Sequence, residues 1–243
     1  RARLDGPTKD GEATTWDDLD SAMKAAVSGS GRTVVLSNTI VSPSTVKAIN
    51  ALGAEHVQYD AVSYSALRQA QSSLFGVNAV PSYDFTKAEV IVSIAADFLS
   101  SWLSSTQYAP DYSSLRGPER GAQSKHFQFE SAMTMTGTNA DIRTMIKPSE
   151  EGKVAAGLLS VLKGGTVSNL DSGVASRISA AAKALKSASG KSLVIAGSND
   201  LATQTIVAAI NQLLGNYGST LDLERPSMAY RGDDASVEKL VAD

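Results

Sequence analysis

The stretch KAEVIVSI, residues 87–94, followed at once by Ala95-Ala96-Asp97, decides how the rest of this chain is read. Its apolar, β-branched run is too short for a buried helix and does not alternate with polar residues. That pattern suits a strand covered on both faces, as in a parallel sheet. Working outward, RTVVLS (32–37, expected as a buried strand), EHVQY (55–59), KHFQF (125–129), DIRTMI (141–146) and KSLVIA (191–196) read as further strands. Helical patterns separate them. One opens at Thr15, whose hydroxyl caps a first turn holding Asp17 and Asp18, and runs to about residue 27, with Trp16 expected to pack it into the core. Others span about 43–53, 64–74, 148–162, 172–188 and 199–214. Glycines end several of them, at Gly53, Gly164-Gly165 and Gly215.

Strands alternating with helices imply βαβ units, so the expected fold is α/β and Rossmann-like, a mostly parallel sheet with helices on both faces. The domain is expected over 1–218, with two interleaved lobes at about 10–165 and 166–218. Residues 219–243 are polar and weakly periodic and read as a tail. Residues 104–124, with Pro110, Gly117 and Pro118, read as a long polar connection that suits a partner-binding loop.

Composition narrows the function. The 243 residues carry a net charge of −3 with both signs dispersed, which argues against nucleic acid as a partner. The longest apolar runs, such as residues 90–96, fall far short of a bilayer, so no direct membrane insertion is expected. There is no cysteine, which excludes disulfides and any thiolate-held zinc or iron–sulfur cluster on this chain. His56 and His126 are the sole histidines and suggest no metal site. The chain begins with Arg1, which reads as a processed or excised piece.

The candidate site residues lie where strands end. In open parallel sheets, ligands sit outside the carboxyl ends of the strands. The Ala95-Ala96-Asp97 turn is either a phosphate cradle, with alanine where glycine would help, or an ordinary turn. Glu130 either accepts hydrogen bonds from a ribose or guanine edge or is a solvated strand-end carboxylate. Glu151, in Pro148-Ser149-Glu150-Glu151, either faces a base or stabilises a helix start. Gly197-Ser198-Asn199 either offers amides to an anion or serves the turn and cap. Ser63 and Ser65 lack the Gly-x-Ser-x-Gly setting of a hydrolase nucleophile, so no catalytic residue is assigned.

Four segments, DGEATTWDDLD (10–20), LFGVNAVPSYDFTKAEVIVSIAADF (74–98), NADIRTMIKPSEEGKVAAGLLSVL (139–162) and GSNDLATQTIVAAINQLLGNYG (197–218), match in order a known pattern. They resemble the central domains of the molybdopterin oxidoreductases. VVLSNTIVSPST (34–45), YDAVSYSAL (59–67) and FQFESAMTMTGTNADIR (127–143) resemble the molybdopterin-oxidoreductase-like iron–sulfur subunit of bacterial alternative complex III. The resemblance implies a scaffold domain of a quinol-oxidising respiratory electron-transfer complex on the periplasmic side of the inner membrane. Its partners would be the other subunits of that membrane-bound complex, and its iron–sulfur clusters would lie elsewhere in the parent chain. No cofactor is expected on this fragment. In a first alternative, molybdopterin guanine dinucleotide binds, Ser63 takes the molybdenum-ligand position, and Glu130 and Glu151 hold guanosines. In a second, an α/β protein takes a nucleotide or anion at Asp97, Gly197 and Ser198.

Overall fold

The computed structural model describes residues 5–119 and 123–243. In chain order its elements are β1 (Thr8–Lys9), β2 (Glu12–Ala13), α1 (Trp16–Val27), β3 (Val34–Ser37), α2 (Pro43–Ala51), β4 (Glu55–Gln58), α3 (Ser65–Phe75), β5 (Val80–Tyr83), β6 (Val90–Ile94), α4 (Ser105–Ser114), β7 (Lys125–Glu130), α5 (Met135–Thr138), β8 (Ile142–Met145), α6 (Glu151–Leu162), α7 (Ser172–Ser187), β9 (Ser192–Ala196), α8 (Leu201–Leu213), β10 (Leu221–Ser227) and α9 (Asp234–Ala242). Two compact units divide them, Arg1–Ala61 with Gly232–Asp243, and Val62–Arg231.

The larger unit is built on a four-stranded parallel sheet in the order β8-β7-β6-β9. The α/β, Rossmann-like expectation holds, and residues 87–94 do supply its central strand. Side chains on β6 alternate between two apolar layers. Val90, Val92 and Ile94 join Phe127, Phe129 and Val194 under Leu158, Ile178, Leu185 and Ile210 of α6, α7 and α8. Ile91 joins Leu193 and Ile195 against Phe85, Phe98, Tyr108 and Tyr112 on the opposite face. Both faces are covered, which is why the strand is apolar except at Ser93, whose hydroxyl donates to the Ala96 carbonyl at 2.9 Å.

The two edges of this sheet are treated differently. An edge strand offers unpaired peptide groups to any strand that approaches it. On β9 these groups are taken by side chains. Asn211 accepts from the Val194 amide at 3.1 Å and donates to the Val194 carbonyl at 2.7 Å. Gln204 donates to the Ala196 carbonyl at 3.0 Å, and Thr220 donates to that of Ser192 at 2.6 Å. Asn216 donates in turn to Asn211, closing a fully buried network. At the other edge, β8 is paired among the described residues on one side only, to β7.

The smaller unit holds the β1–β2 hairpin, turned through Asp10 and Gly11 at positive φ, and the parallel pair β3–β4. Its C-terminal part is tied in by Asp60, whose carboxylate accepts from the Thr39 amide at 2.9 Å and the Gly232 amide at 2.8 Å.

Several expectations are corrected here. Residues 219–243 are not a featureless tail: β10 pairs antiparallel with β5, and α9 packs on β4. Residues 105–114 form α4, with Tyr108 and Tyr112 buried one turn apart, where a polar connection was expected. Residues 120–122 of that connection lie outside the described residues. Trp16 is 67% exposed rather than buried. The strand expected to be buried at 32–37 is half-exposed as β3, with Leu36 facing out. Among the described residues no helix is long and apolar enough to cross a membrane.

Asn211 yields a direct test. Asn211→Ala leaves the Val194 peptide group and the Asn216 amide buried without partners, a loss of about 2–4 kcal/mol. Gln212→Ala, the exposed neighbour, changes stability by no more than about 0.5 kcal/mol. Urea denaturation of the two variants side by side measures the difference.

Candidate functional site

The strand order places a topological switch between β6 and β9, the position where open α/β sheets bind ligands. The turns leaving these strands are 95–97 and 197–199, so the sequence located the edge correctly. What stands there is the chain itself. Ala95 takes a left-handed φ of 54°, a conformation that costs a non-glycine residue about 1 kcal/mol. Its amide donates to the Phe129 carbonyl at 2.8 Å, and the Gly197 amide donates to that of Ile94 at 2.8 Å. Two amides that would cradle a phosphate are thus spent on strand ends. Gly197 also rests against the other turn: a Cβ there would lie 2.3 Å from the Ala95 carbonyl oxygen. Packing between the two turns therefore requires glycine at 197.

The remaining predicted residues are engaged in the same way. The Asp97 carboxylate accepts from the amide and hydroxyl of Thr136, at 3.1 and 2.7 Å. Ser198 accepts from the Asp200 amide at 3.2 Å. Asn199 accepts from the Ala66 amide at 3.0 Å and so satisfies the first turn of α3. Ser63 sits just ahead of that turn, its hydroxyl accepting from the Ser65 amide at 3.1 Å. Glu151 opens α6, where burial raises its carboxyl above the usual range. The structure therefore brings Ser63 close to Asn199 and sets Asp97 and Glu130 on the same short turn, 134–137. The Ala95 and Gly197 amides, already donating to strand-end carbonyls, are not free to cradle a phosphate. Among the described residues no group of three or more His, Asp or Glu is placed to hold a metal ion.

Glu130 is the best-held group of all. It is 1% exposed and accepts four hydrogen bonds: from the Thr134 amide at 3.3 Å, the Thr134 hydroxyl at 2.7 Å, Gln128 Nε2 at 3.1 Å and Arg143 Nε at 2.6 Å. Burial pushes the carboxyl up, but the hydrogen bonds from Thr134, Arg143 and Gln128 outweigh it and hold the group below its usual range. The turn lies so close that a Cβ on Gly137 would sit 1.8 Å from a Glu130 oxygen.

Behind Glu130 runs a buried polar chain that sequence reasoning missed. In KHFQFE, Phe127 and Phe129 face one apolar layer while His126, Gln128 and Glu130 share the opposite face of β7. Gln128 donates its amide to Glu130, so its oxygen is the acceptor for His126 Nε2 at 3.2 Å. His126 Nδ1 meets the Tyr112 hydroxyl at 3.1 Å. Asp141 accepts from the His126 amide at 2.7 Å and holds Arg116 through both guanidinium amines at 2.9 and 2.8 Å. The missed signal was the alternation itself, three polar residues interleaved with two phenylalanines.

Burial holds the His126 imidazole neutral, its pKa pushed down to about 4. An unfolded histidine takes up its proton near pH 6.5. Between these values the unfolded chain binds more protons, so this contribution is fully present above about pH 6.5 and is lost as pH falls through the window. It amounts to at most roughly 3 kcal/mol. Urea denaturation between pH 7 and 4 is expected to show that slope, and His126→Gln to flatten it. Gly137→Ala is expected to destabilise by about 1–3 kcal/mol, because Glu130 cannot move aside without giving up its partners.

No family model matches this chain, and no curated relative matches it. Among solved structures it resembles a chain in the crystal structure of the formyltransferase/hydrolase complex FhcABCD from Methylorubrum extorquens in complex with methylofuran. The TM-score is 0.59 at 18% identity, over 87% of this chain and 57% of that one, so the match spans little more than half of the neighbour. At that identity the likeness shows the fold alone. The expected membership of the molybdopterin oxidoreductases is overturned by this finding, and with it the respiratory, electron-transporting role and the molybdenum-binding alternative. The nucleotide- or anion-binding alternative gains no support from it either.

Proposed function

We propose that this chain is a docking domain of a multi-protein assembly, and that a partner protein seats on the carboxyl edge of its sheet beside β8. The observation that carries this reading is where the methionines are. The sequence has five, and three of them, Met133, Met135 and Met145, lie in or beside the turn that Glu130 organises. They are 67%, 58% and 71% exposed. Met145 pairs with Glu130 across β8 and β7, while Met133 and Met135 flank Thr134, which Glu130 holds through two hydrogen bonds. Exposed apolar side chains on a rigid frame mark an interaction surface rather than a solvated one. Methionine suits that role because its unbranched, polarisable side chain adapts to an opposing surface.

The adjacent strand edge supports the same reading. The peptide groups of β9 are closed off by Asn211, Gln204 and Thr220, whereas among the described residues β8 ends the sheet with one side unpaired. An extended segment of a partner can add to such an edge while its apolar side chains meet the methionines. The committed carboxylates support it further, since Asp97 and Glu130 are spent on positioning the turn rather than facing a small ligand. The structural neighbour is a chain of an assembled complex, which fits this role without defining the partner.

Peroxide footprinting of native material tests the proposal. In the isolated chain Met133, Met135 and Met145 are expected to oxidise as readily as Met23 and Met228. In the assembly from the native source the first three are expected to be protected several-fold relative to the other two. Equal oxidation in native material, or recovery of the chain as a monomer, overturns the reading. Met133→Glu with Met145→Glu is expected to release the chain from the assembly with its melting temperature unchanged.

A further inference from the structure

A second feature lies away from the carboxyl edge, where β5, β10 and the start of α4 enclose a cavity of about 160 Å³. Tyr83, Tyr108 and Tyr230 line it together with Ser104 and Gln107. Cavities of this size hold a molecule on the scale of benzene. Tyr83 and Tyr108 are almost wholly buried, and among the described residues neither hydroxyl has a hydrogen-bond partner. The other tyrosines of the cluster differ: the Tyr230 hydroxyl donates to the Leu103 carbonyl at 3.0 Å, and that of Tyr64 accepts from the Leu103 amide at 3.1 Å. Their hydroxyl oxygens are not sealed from solvent, so they stay open to the hydrogen-bonding groups of a molecule in the cavity. The rings are locked by packing, with Trp102 5.1 Å from Tyr83 and 5.9 Å from Tyr108 between centroids.

Charge around the cavity indicates the ligand's sign. A wider, open depression shares Ser82, Tyr83 and Gln107 with it and adds Asp84, Asp111 and Asp222 against Lys87 and Arg225. Asp84 pairs with Lys87 at 2.9 Å and Asp222 with Arg225 at 3.2 Å. Asp111 has no cationic partner among the described residues, which leaves one negative charge uncompensated. Gln107, Tyr108 and Asp111 stand on one face of α4, three and four residues apart. Aromatic faces beside an uncompensated carboxylate form the usual setting for an organic cation.

We propose that this cavity binds a small organic ammonium compound of about six to ten non-hydrogen atoms, its body against Tyr83, Tyr108 and Tyr230 and its ammonium group attracted by Asp111. The phenol oxygens and the Gln107 amide oxygen would accept from its N–H groups. Burial keeps both phenols protonated, so they serve as neutral hydrogen-bonding groups.

The test compares benzylammonium with its neutral isostere benzyl alcohol on the full chain, by calorimetry and thermal shift. Benzylammonium is expected to bind about tenfold more tightly than the alcohol. Asp111→Asn, a part-exposed site that should not disturb folding, is expected to bring the two to parity. Tyr108→Phe is expected to weaken the amine with the unliganded melting temperature unchanged. Equal binding of the two probes, binding of neither, or an Asp111→Asn variant that keeps the preference for the amine overturns the proposal.

Discussion

The carboxylate of Glu130 is the group on which the carboxyl edge of this sheet depends. A buried charge is tolerated only when its partners replace the water it has lost. Here Thr134, Gln128 and Arg143 do so, and each link fixes something else. The bond to Gln128 orients an amide that accepts from His126. The ion pair with Arg143 locks β8 to β7. The two bonds to Thr134 hold the turn that starts α5, and Asp97 secures the other side of that turn through Thr136. The carboxyl end of β7 is thus covered by four residues of the chain itself, 134–137.

That arrangement separates what this sheet could read from outside and what it spends on itself. Gly197 packs on Ala95, and the Ala95 and Gly197 amides point back into the strands. Facing outward are the exposed methionines and, among the described residues, the peptide groups on the side of β8 that no strand pairs. The contrast with β9 gives the edge its meaning. A chain that stops one edge with three buried side chains and leaves the other open has a directional surface.

Much of the fold was legible in the sequence. The apolar run at 90–94, the helix caps and the terminating glycines gave the alternation of elements, because local propensity and burial act together there. Other elements were hidden. β5 contains Pro81, β10 contains Pro226 with three charged residues, and α4 contains Pro110 among serines. Each is specified by its packing partners rather than by its own periodicity. The candidate site residues fall at strand ends, and protein groups such as Thr134 and Thr136 hold two of their carboxylates. A strand-end acid looks the same in sequence whether it meets a nucleotide or a hydroxyl such as that of Thr134. The matched segments behind the molybdopterin reading cover strand ends, caps and turns, features that any α/β chain of this topology needs. They carried the fold and not the chemistry.

The dependence of the edge on Glu130 can be measured at its backbone. Amide hydrogen exchange should be followed across the whole chain in the wild type and in Glu130→Gln, a substitution that keeps shape while removing the charge that Thr134 and Arg143 share. Faster exchange confined to the amides of 134–137 and to β8, with β6 and β9 unchanged, is the expected result. Exchange at 134–137 that is the same in both proteins would contradict the claim that this one buried carboxylate holds the docking edge in place.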